Sequence, residues 1–322
     1  MGRPAPAPAL SVVIPAHNRA DLVAYTLASL TGQSLAPELY EIIVIDDGST
    51  DRTPEVVSAW EGGGRVRLLR RSDNRGPGAA RNDGIRQAGG EIVVFVDSDV
   101  VVRRDFLSHH LEAHRQAGRA VICRGPVVPV SEIPAADAPL ERLPVAALSP
   151  SYFDPANASL PRSELLAAGL FDERFGTYGW EDFDLGFRLR RRGLVRVFRR
   201  DAVAYHYQPA PSAETFERML GKEEERARAA VYLYRKYPRW STRWLIQLTT
   251  LHRVLYFLLS SGGLINARTA PVLAGRFRRG GRISLEYLVL RAALNRRYLA
   301  ALRRAWHEGE GWEATGADAP SR

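Results

Sequence analysis

The stretch Val93-Val94-Phe95-Val96-Asp97-Ser98-Asp99 limits the folding options of this chain more than any other. Four β-branched or aromatic residues read as a buried strand, and two carboxylates one residue apart follow at once. Such a strand end cannot sit in the core, because a buried carboxylate is costly without a cation. It belongs at the rim of a sheet, where open α/β folds keep their ligand crevice. Asp-Ser-Asp is also ordinary turn chemistry. The sharper reading is a pair of hard oxygen donors for Mg²⁺ or Mn²⁺. The pattern recurs upstream, where Glu41-Ile42-Ile43-Val44-Ile45 runs into Asp46-Asp47-Gly48-Ser49-Thr50-Asp51.

Around these two stretches the periodicity switches regularly. Leu10 to Pro15 reads as a first strand, and Pro15 and Asn18 open a helix from Arg19 to Gly32 with an apolar stripe of Leu22, Val23, Leu27 and Leu30. Arg65 to Arg70 alternates as a strand, Gly76 to Ala88 reads as a helix, and Glu91 to Val96 as the next strand. This β-α-β-α-β-α-β rhythm predicts an α/β fold with a mostly parallel sheet flanked by helices. Right-handed crossovers then bring Asp46, Asp47, Asp97 and Asp99 to one sheet edge. A helix over 105–117, a strand over 120–128, and a long Pro/Ala-rich loop over 129–156 follow. Asn157 to Leu170 reads as a short helix after Pro161, and Glu181 to Arg192 as another. Two short strands, Val195 to Phe198 and Ala202 to His206, complete this part. From Ser212 the pattern is helical, with helices expected over 215–237, 242–259 and 284–306. The expected organisation is a mobile tail 1–9, an α/β domain 10–210 with halves 10–128 and 129–210, a helical extension 211–307, and a tail 308–322.

The pieces together resemble the family 2 glycosyltransferases of GT-A fold. They are Ser-Val-Val-Ile-Pro-Ala-His-Asn at 11–18, Asp-Asp-Gly-Ser-Thr-Asp at 46–51, Asn-Arg-Gly-Pro-Gly-Ala-Ala-Arg-Asn at 74–82, Asp-Ser-Asp at 97–99 and Gly-Trp-Glu-Asp-Phe-Asp at 179–184. The last resembles the later segment of galactosyltransferases and chondroitin-type polymerases. The resemblance spans residues 10 to 210 and implies a nucleotide-sugar donor. Pro15, Ala16, Asn18, Asp47, Arg81 and Asp97 would bind that donor, and Asp99, Asp97 and His206 would hold Mn²⁺ or Mg²⁺. Asp182 would be the general base, Glu181 would orient the acceptor, and Trp180 would offer a stacking face to a sugar. For Asp46 and Asp47 helix capping is the competing account, for Arg81 a surface ion pair, for Trp180 a core position, and for Glu181 and Asp182 a cap with ion pairs to Arg188 and Arg190.

The implied reaction inverts the sugar carbon and moves a hexose, from a UDP-sugar first, to a glycan or lipid-linked hydroxyl in polysaccharide, glycolipid or cell-envelope synthesis. A metal-dependent nucleotidyltransferase fits less well, because Ala16-His17-Asn18-Arg19 is not a Gly-rich phosphate loop. Net charge is +9, which favours anionic partners. The arginine runs carry no nucleic-acid motif, so a basic binding protein is the weaker alternative. Arg253, Arg268, Arg276, Arg278, Arg279 and Arg282 among apolar residues suit either an anionic membrane surface, a packed helical layer or a homodimer contact. The only cysteine, Cys123, excludes an internal disulfide and reads as a core thiol. No signal sequence or membrane span is expected, hence a cytoplasmic location.

Overall fold

The computed structural model describes residues 7–135, 151–208, 212–279 and 283–308. They form two compact units. The first runs to Thr177 and resumes at Glu181; the second takes Tyr178–Trp180 and the chain from Pro211.

In the first unit seven strands make one sheet. They are β1 (Leu10–Ala16), β2 (Tyr40–Asp47), β3 (Val66–Arg71), β4 (Ile92–Phe95), β6 (Val121–Arg124), β8 (Ala158–Pro161) and β9 (Val195–Phe198), in the order β3-β2-β1-β4-β8-β6-β9. β3, β2, β1 and β4 are mutually parallel, with Ala16 level with Asp46, so their carboxyl ends share one edge. The alternation of side chains across the strands divides the core into two faces. Val12, Ile14, Ile42, Val44 and Val94 pack with α1 (Val23–Thr31) and α4 (Phe106–Ala117). Val13, Ile43, Ile45, Val93 and Phe95 pack with α3 (Pro77–Gln87), α5 (Arg162–Ala167) and α6 (Glu181–Arg191). A short α2 (Thr53–Ser58) follows β2. Gly84 lets α3 lie close on the sheet, since a Cβ there would stand 2.6 Å from Val13 Cγ1.

Three shorter strands, β5 (Val100–Val102), β10 (Ala204–Tyr207) and β7 (Val127–Val130), form a second sheet. β5 runs antiparallel to β10 with Val100 opposite His206, which carries His206 to the Asp97–Asp99 strand end. The sequence did not announce β5. The expected single strand over 120–128 is two strands in different sheets, broken at Gly125-Pro126. Gly125 is required there because any Cβ would collide with the Ala202 carbonyl. Residues 158–161 are a strand, antiparallel to β4 and β6, and the helix begins only after Pro161. Much of the expected 129–156 loop, residues 136–150, lies outside the described residues.

A polar knot, fully buried at His110, Asn157 and Ser159, fastens β8 to α4. Asn157 donates to the carbonyls of Pro126 and Ala202, at 2.9 and 2.8 Å, and its Oδ1 faces His110 Nε2 at 3.0 Å. The Ser159 hydroxyl meets His110 Nδ1 at 2.7 Å and His114 Nε2 at 2.8 Å. Cys123 is buried, and burial pushes its thiol up to about 12.

The second unit holds α7 (Ala213–Lys236), α8 (Trp240–Leu245), α9 (Thr250–Leu259), α10 (Ala270–Arg279) and α11 (Ile283–Glu308). Phe216 and Leu220 of α7, Ala270 and Ala274 of α10, and Val289, Leu290, Ala293 and Leu294 of α11 make its core. The expected helix over 242–259 is two, because Gln247 takes φ 63° and Thr249 caps α9 by accepting from His252 N. The helix α10 was not anticipated.

Burial holds His110 down to about 3 and His114 to about 4, so both are neutral in the folded protein at pH 7. Unfolded imidazoles titrate near 6.5. The unfolded chain therefore binds more protons below that value, and stability falls as pH drops from about 6.5 toward the folded values. For His110 the expected loss between pH 7 and 5 is about 2 kcal/mol. Urea midpoints at the two pH values check it, and His110→Gln should remove about half of the pH dependence that the two histidines contribute, leaving the share of His114.

Candidate active site

Arg81 is the hub of the carboxylate edge. Its guanidinium is buried at 4% exposure and donates to Asp97 Oδ1 at 2.7 Å and to Glu181 Oε1 at 3.4 Å. The ring of Phe171 lies 5.5 Å from its Cζ. Burial alone would lower the pKa of Arg81, but the two carboxylates outweigh it and hold the cation. Arg81 is thus an internal cation joining the end of β4 to the start of α6, rather than the surface pair that the sequence left open.

Burial raises Asp97 above its ordinary carboxylate value, partly offset by Arg81 and reinforced by neighbouring Asp99. Asp99 goes the other way. Burial would raise it, but His206 Nε2 at 3.4 Å and Arg19 Nη2 at 3.6 Å together hold it low. His206 is raised in return: burial would lower it, and Asp99 outweighs that. The donor set suits Mn²⁺ or Mg²⁺ in kind, with two hard oxygen donors and an imidazole already in contact with one of them. Among the described residues no three His, Cys, Asp or Glu side chains close a ready-made cage. A cation held by Asp99, Asp97 and His206 would therefore take the place of the Asp99–His206 and Asp99–Arg19 ion pairs.

Asp182, in the first turn of α6, is the most perturbed carboxyl of the group. Burial pushes it well above the ordinary value, and the charges of Glu181 and Asp154 push further. No salt bridge reaches it among the described residues. Asp184, in the same turn, is fully buried and accepts from Arg188 Nη2 at 2.7 Å and Nε at 3.0 Å, so the ion pair to Arg188 that the competing account expected is made by Asp184. Asp154 was invisible in the sequence, because its loop has no periodicity. It pairs with Arg124 at 3.3 Å and its field reaches both Asp182 and His206.

The edge of β1 and β2 is organised by two side chains. Asn18 adopts φ 51°, a left-handed conformation that Asn tolerates better than most residues. Its Oδ1 accepts from Thr50 N at 2.9 Å and Asp51 N at 3.3 Å, and its own N–H donates to Ser49. Asp47 is buried and accepts from Gly76 N at 2.8 Å and Arg75 N at 3.2 Å, and the Arg71 guanidinium pairs with it, Nε 3.0 Å from Oδ1. Burial raises its pKa, and these donors only partly offset it. Asp47 thus fixes the Gly-rich loop before α3. Gly76 is required there: its φ is 90°, and a Cβ would lie 2.8 Å from Thr177 Cα. Pro15 and Ala16 lie at the end of β1, level with Ile45 and Asp46.

Trp180 is placed differently from Glu181 and Asp182, which follow it. Its indole belongs to the helical unit, is 7% exposed, and donates from Nε1 to the Arg226 carbonyl at 3.0 Å, with the Arg226 guanidinium over the ring. Its polar atom and one face are already engaged, so a sugar platform on Trp180 does not follow from this placement.

Comparison with known proteins fits this geometry. Residues 11–144 match the model of glycosyl transferase family 2. A validoxylamine A glucosyltransferase of Streptomyces hygroscopicus subsp. limoneus is 32% identical over 247 residues, covering 65% of this chain and 53% of the relative. The chondroitin synthase of Escherichia coli is 27% identical over 288 residues, covering 76% of this chain and 41% of that protein. The chain spans about half the length of such curated relatives. Among solved structures, the mannosyltransferase PcManGT of Pyrobaculum calidifontis, in complex with GDP-Man and Mn²⁺, has a TM-score of 0.58 at 17% identity, covering 95% of this chain and 89% of that one. S. aureus TarS 1–349 in complex with UDP-GlcNAc has a TM-score of 0.53 at 18% identity, covering 94% and 93%.

Removing the hub tests the architecture. Arg81→Met leaves Asp97 and Glu181 without their buried cation and should cost about 3 kcal/mol. Urea unfolding at pH 7 checks it, and Arg81→Lys should recover only part, because one ammonium cannot fork to both carboxylates.

Proposed function

Starting from a chain that residues 11–144 place in glycosyl transferase family 2, and whose fold is GT-A, we propose that it transfers a hexose from a nucleotide-sugar to an acceptor hydroxyl with inversion. The observation that carries this reading is the single electrostatic cluster Asp97–Arg81–Glu181/Asp182, with the Asp99–His206 pair beside Asp97. A UDP-sugar is the favoured donor, and the neighbours bound to UDP-GlcNAc and to GDP-Man support a nucleotide-sugar in general. The acceptor is proposed to be a glycan or lipid-linked hydroxyl in cell-envelope polysaccharide or glycolipid synthesis, at a cytoplasmic location. In this reading residues 10–210 are the transferase domain and 211–307 a helical extension.

Each group then has a task. The strand-end backbone at Pro15 and Ala16, with the loops that Asn18 and Asp47 hold, forms the nucleotide side of the site. Asp99, with Asp97 and His206, holds Mn²⁺ or Mg²⁺; when bound, the ion stabilises the charge of the leaving diphosphate. Arg81 keeps Asp97 in place and separates its charge from Glu181. Asp182 takes the proton of the acceptor hydroxyl as that oxygen bonds to the anomeric carbon and the sugar–phosphate bond breaks. Its raised pKa brings a carboxylate closer to the working pH of a base. Glu181, at the helix N-terminus, orients the acceptor.

Asp182→Asn should lower kcat roughly 10²- to 10⁴-fold while donor binding persists. The wild-type acid limb of kcat/KM should fall as pH drops through the raised carboxyl value, above the ordinary carboxylate range, and should vanish in the variant. A panel of nucleotide-sugars with Mn²⁺, Mg²⁺ or EDTA should give release of nucleoside diphosphate with one donor class and none in EDTA. Asp99→Ala should abolish the metal-dependent signal. No donor bound under any metal would overturn the proposal.

A further inference from the structure

Helix α9 is built the wrong way round for a soluble protein. Leu251, Val254, Leu255 and Leu258 form one stripe at i, i+3, i+4 and i+7, the pattern of a core-facing side. Yet the helix has no buried residue, and Leu251 and Leu258 are 60% and 66% exposed. The side turned to the protein is instead polar and aromatic: His252 packs edge-on against Trp244 at 4.8 Å and beside Tyr256 at 6.5 Å. On α8, Trp240 and Trp244 stack on each other 5.4 Å apart and both remain exposed. Single exposed hydrophobes need no explanation, but an aligned apolar stripe beside two tryptophans marks an interaction surface.

The charges around it select the partner. Between Glu225 and Glu286 the sequence has no Asp or Glu, against twelve Arg and Lys. Arg239, Arg243, Arg253, Arg268 and Arg276 are all exposed. A second copy of the chain would set these cations against each other across a two-fold contact, which opposes a homodimer through this face. An anionic bilayer matches both features: apolar side chains enter the acyl boundary, tryptophans sit at the headgroup level, and arginines meet lipid phosphates. Arg243 and Arg253 also line a cavity with Leu299, Leu302 and Trp306, a mixed lining suited to a lipid phosphate above the first methylenes of its chain. The ten residues of α9 cannot cross a bilayer, and no described helix is long and apolar enough to do so. We infer that α8 and α9 lie in the surface plane of an anionic phospholipid membrane and hold the protein there.

The test is flotation of the full chain with vesicles of phosphatidylcholine alone or with one third phosphatidylglycerol. It needs neither donor nor acceptor, so it stands or falls separately from sugar transfer. The chain should float with the anionic vesicles and stay behind with the neutral ones. Leu255→Glu with Leu258→Glu should weaken partition by roughly tenfold or more, since two apolar anchors become anions. Both positions are exposed, and an unchanged Tm verifies the fold. Arg253→Gln with Arg276→Gln should weaken the anionic preference by a smaller factor. Lipids brominated along the chain should quench tryptophan fluorescence, and Trp240→Phe with Trp244→Phe should remove most of that quenching. Absence of flotation with anionic vesicles would overturn the inference. So would equal flotation of the leucine variant, or a wild-type dimer that the leucine variant dissolves.

Discussion

A guanidinium buried between two carboxylates of different elements sets the terms for everything at the sheet edge. Arg81 sits on α3, Asp97 follows β4, and Glu181 opens α6, so one side chain ties three segments far apart in sequence. The desolvation cost of such a group is large, and only well-formed hydrogen bonds offset it. Its Nε has no hydrogen-bond partner among the described residues, so the offset is incomplete. What the arrangement does achieve is segregation. The cation pairs with Asp97 and Glu181, while Asp182, one residue further along the helix, has its pKa raised chiefly by burial.

The same division appears on the other side of Asp97. Asp99 is held ionised by His206 and Arg19, and Asp97 is burdened by that neighbouring negative charge. The antiparallel register of β5 on β10 is what delivers His206, with a precision that no side chain on a free loop would have.

The sequence was informative where one residue type had one physical meaning. Apolar runs gave β1, β2 and β4, because side-chain period and parallel connection leave few alternatives, and the Asp residues that end β2 and follow β4 were therefore legible as sharing one edge. His206 and Arg81 were brought to that edge by the family resemblance, not by pattern. The sequence was silent where meaning depends on a distant partner. Asp154 lies in a stretch without periodicity, and only the fold brings its charge to Asp182. Asp47 looked like a ligand-facing carboxylate, yet both of its oxygens are engaged, by the amides of Arg75 and Gly76 and by the Arg71 ion pair. Trp180 shares a motif with Glu181 but packs on Arg226, since at φ 72° its backbone turns away from the course of the helix that follows. The strand at 158–161 was hidden because four residues ending in Pro carry too little pattern, and its pairing comes entirely from β4 and β6.

That late strand also fixes an order of assembly. β1, β2, β3 and β4 pair through connections made within the first 95 residues, so they can form while the rest of the chain is still being synthesised. β4 then presents an open hydrogen-bonding edge, and the strand that covers it lies more than sixty residues further on. β6 leaves the ribosome earlier than β8 but cannot join the sheet before it, since β8 stands between them. The nascent protein must therefore carry an unpaired, wholly apolar edge through that interval, the stage at which strands of other chains compete for the same position.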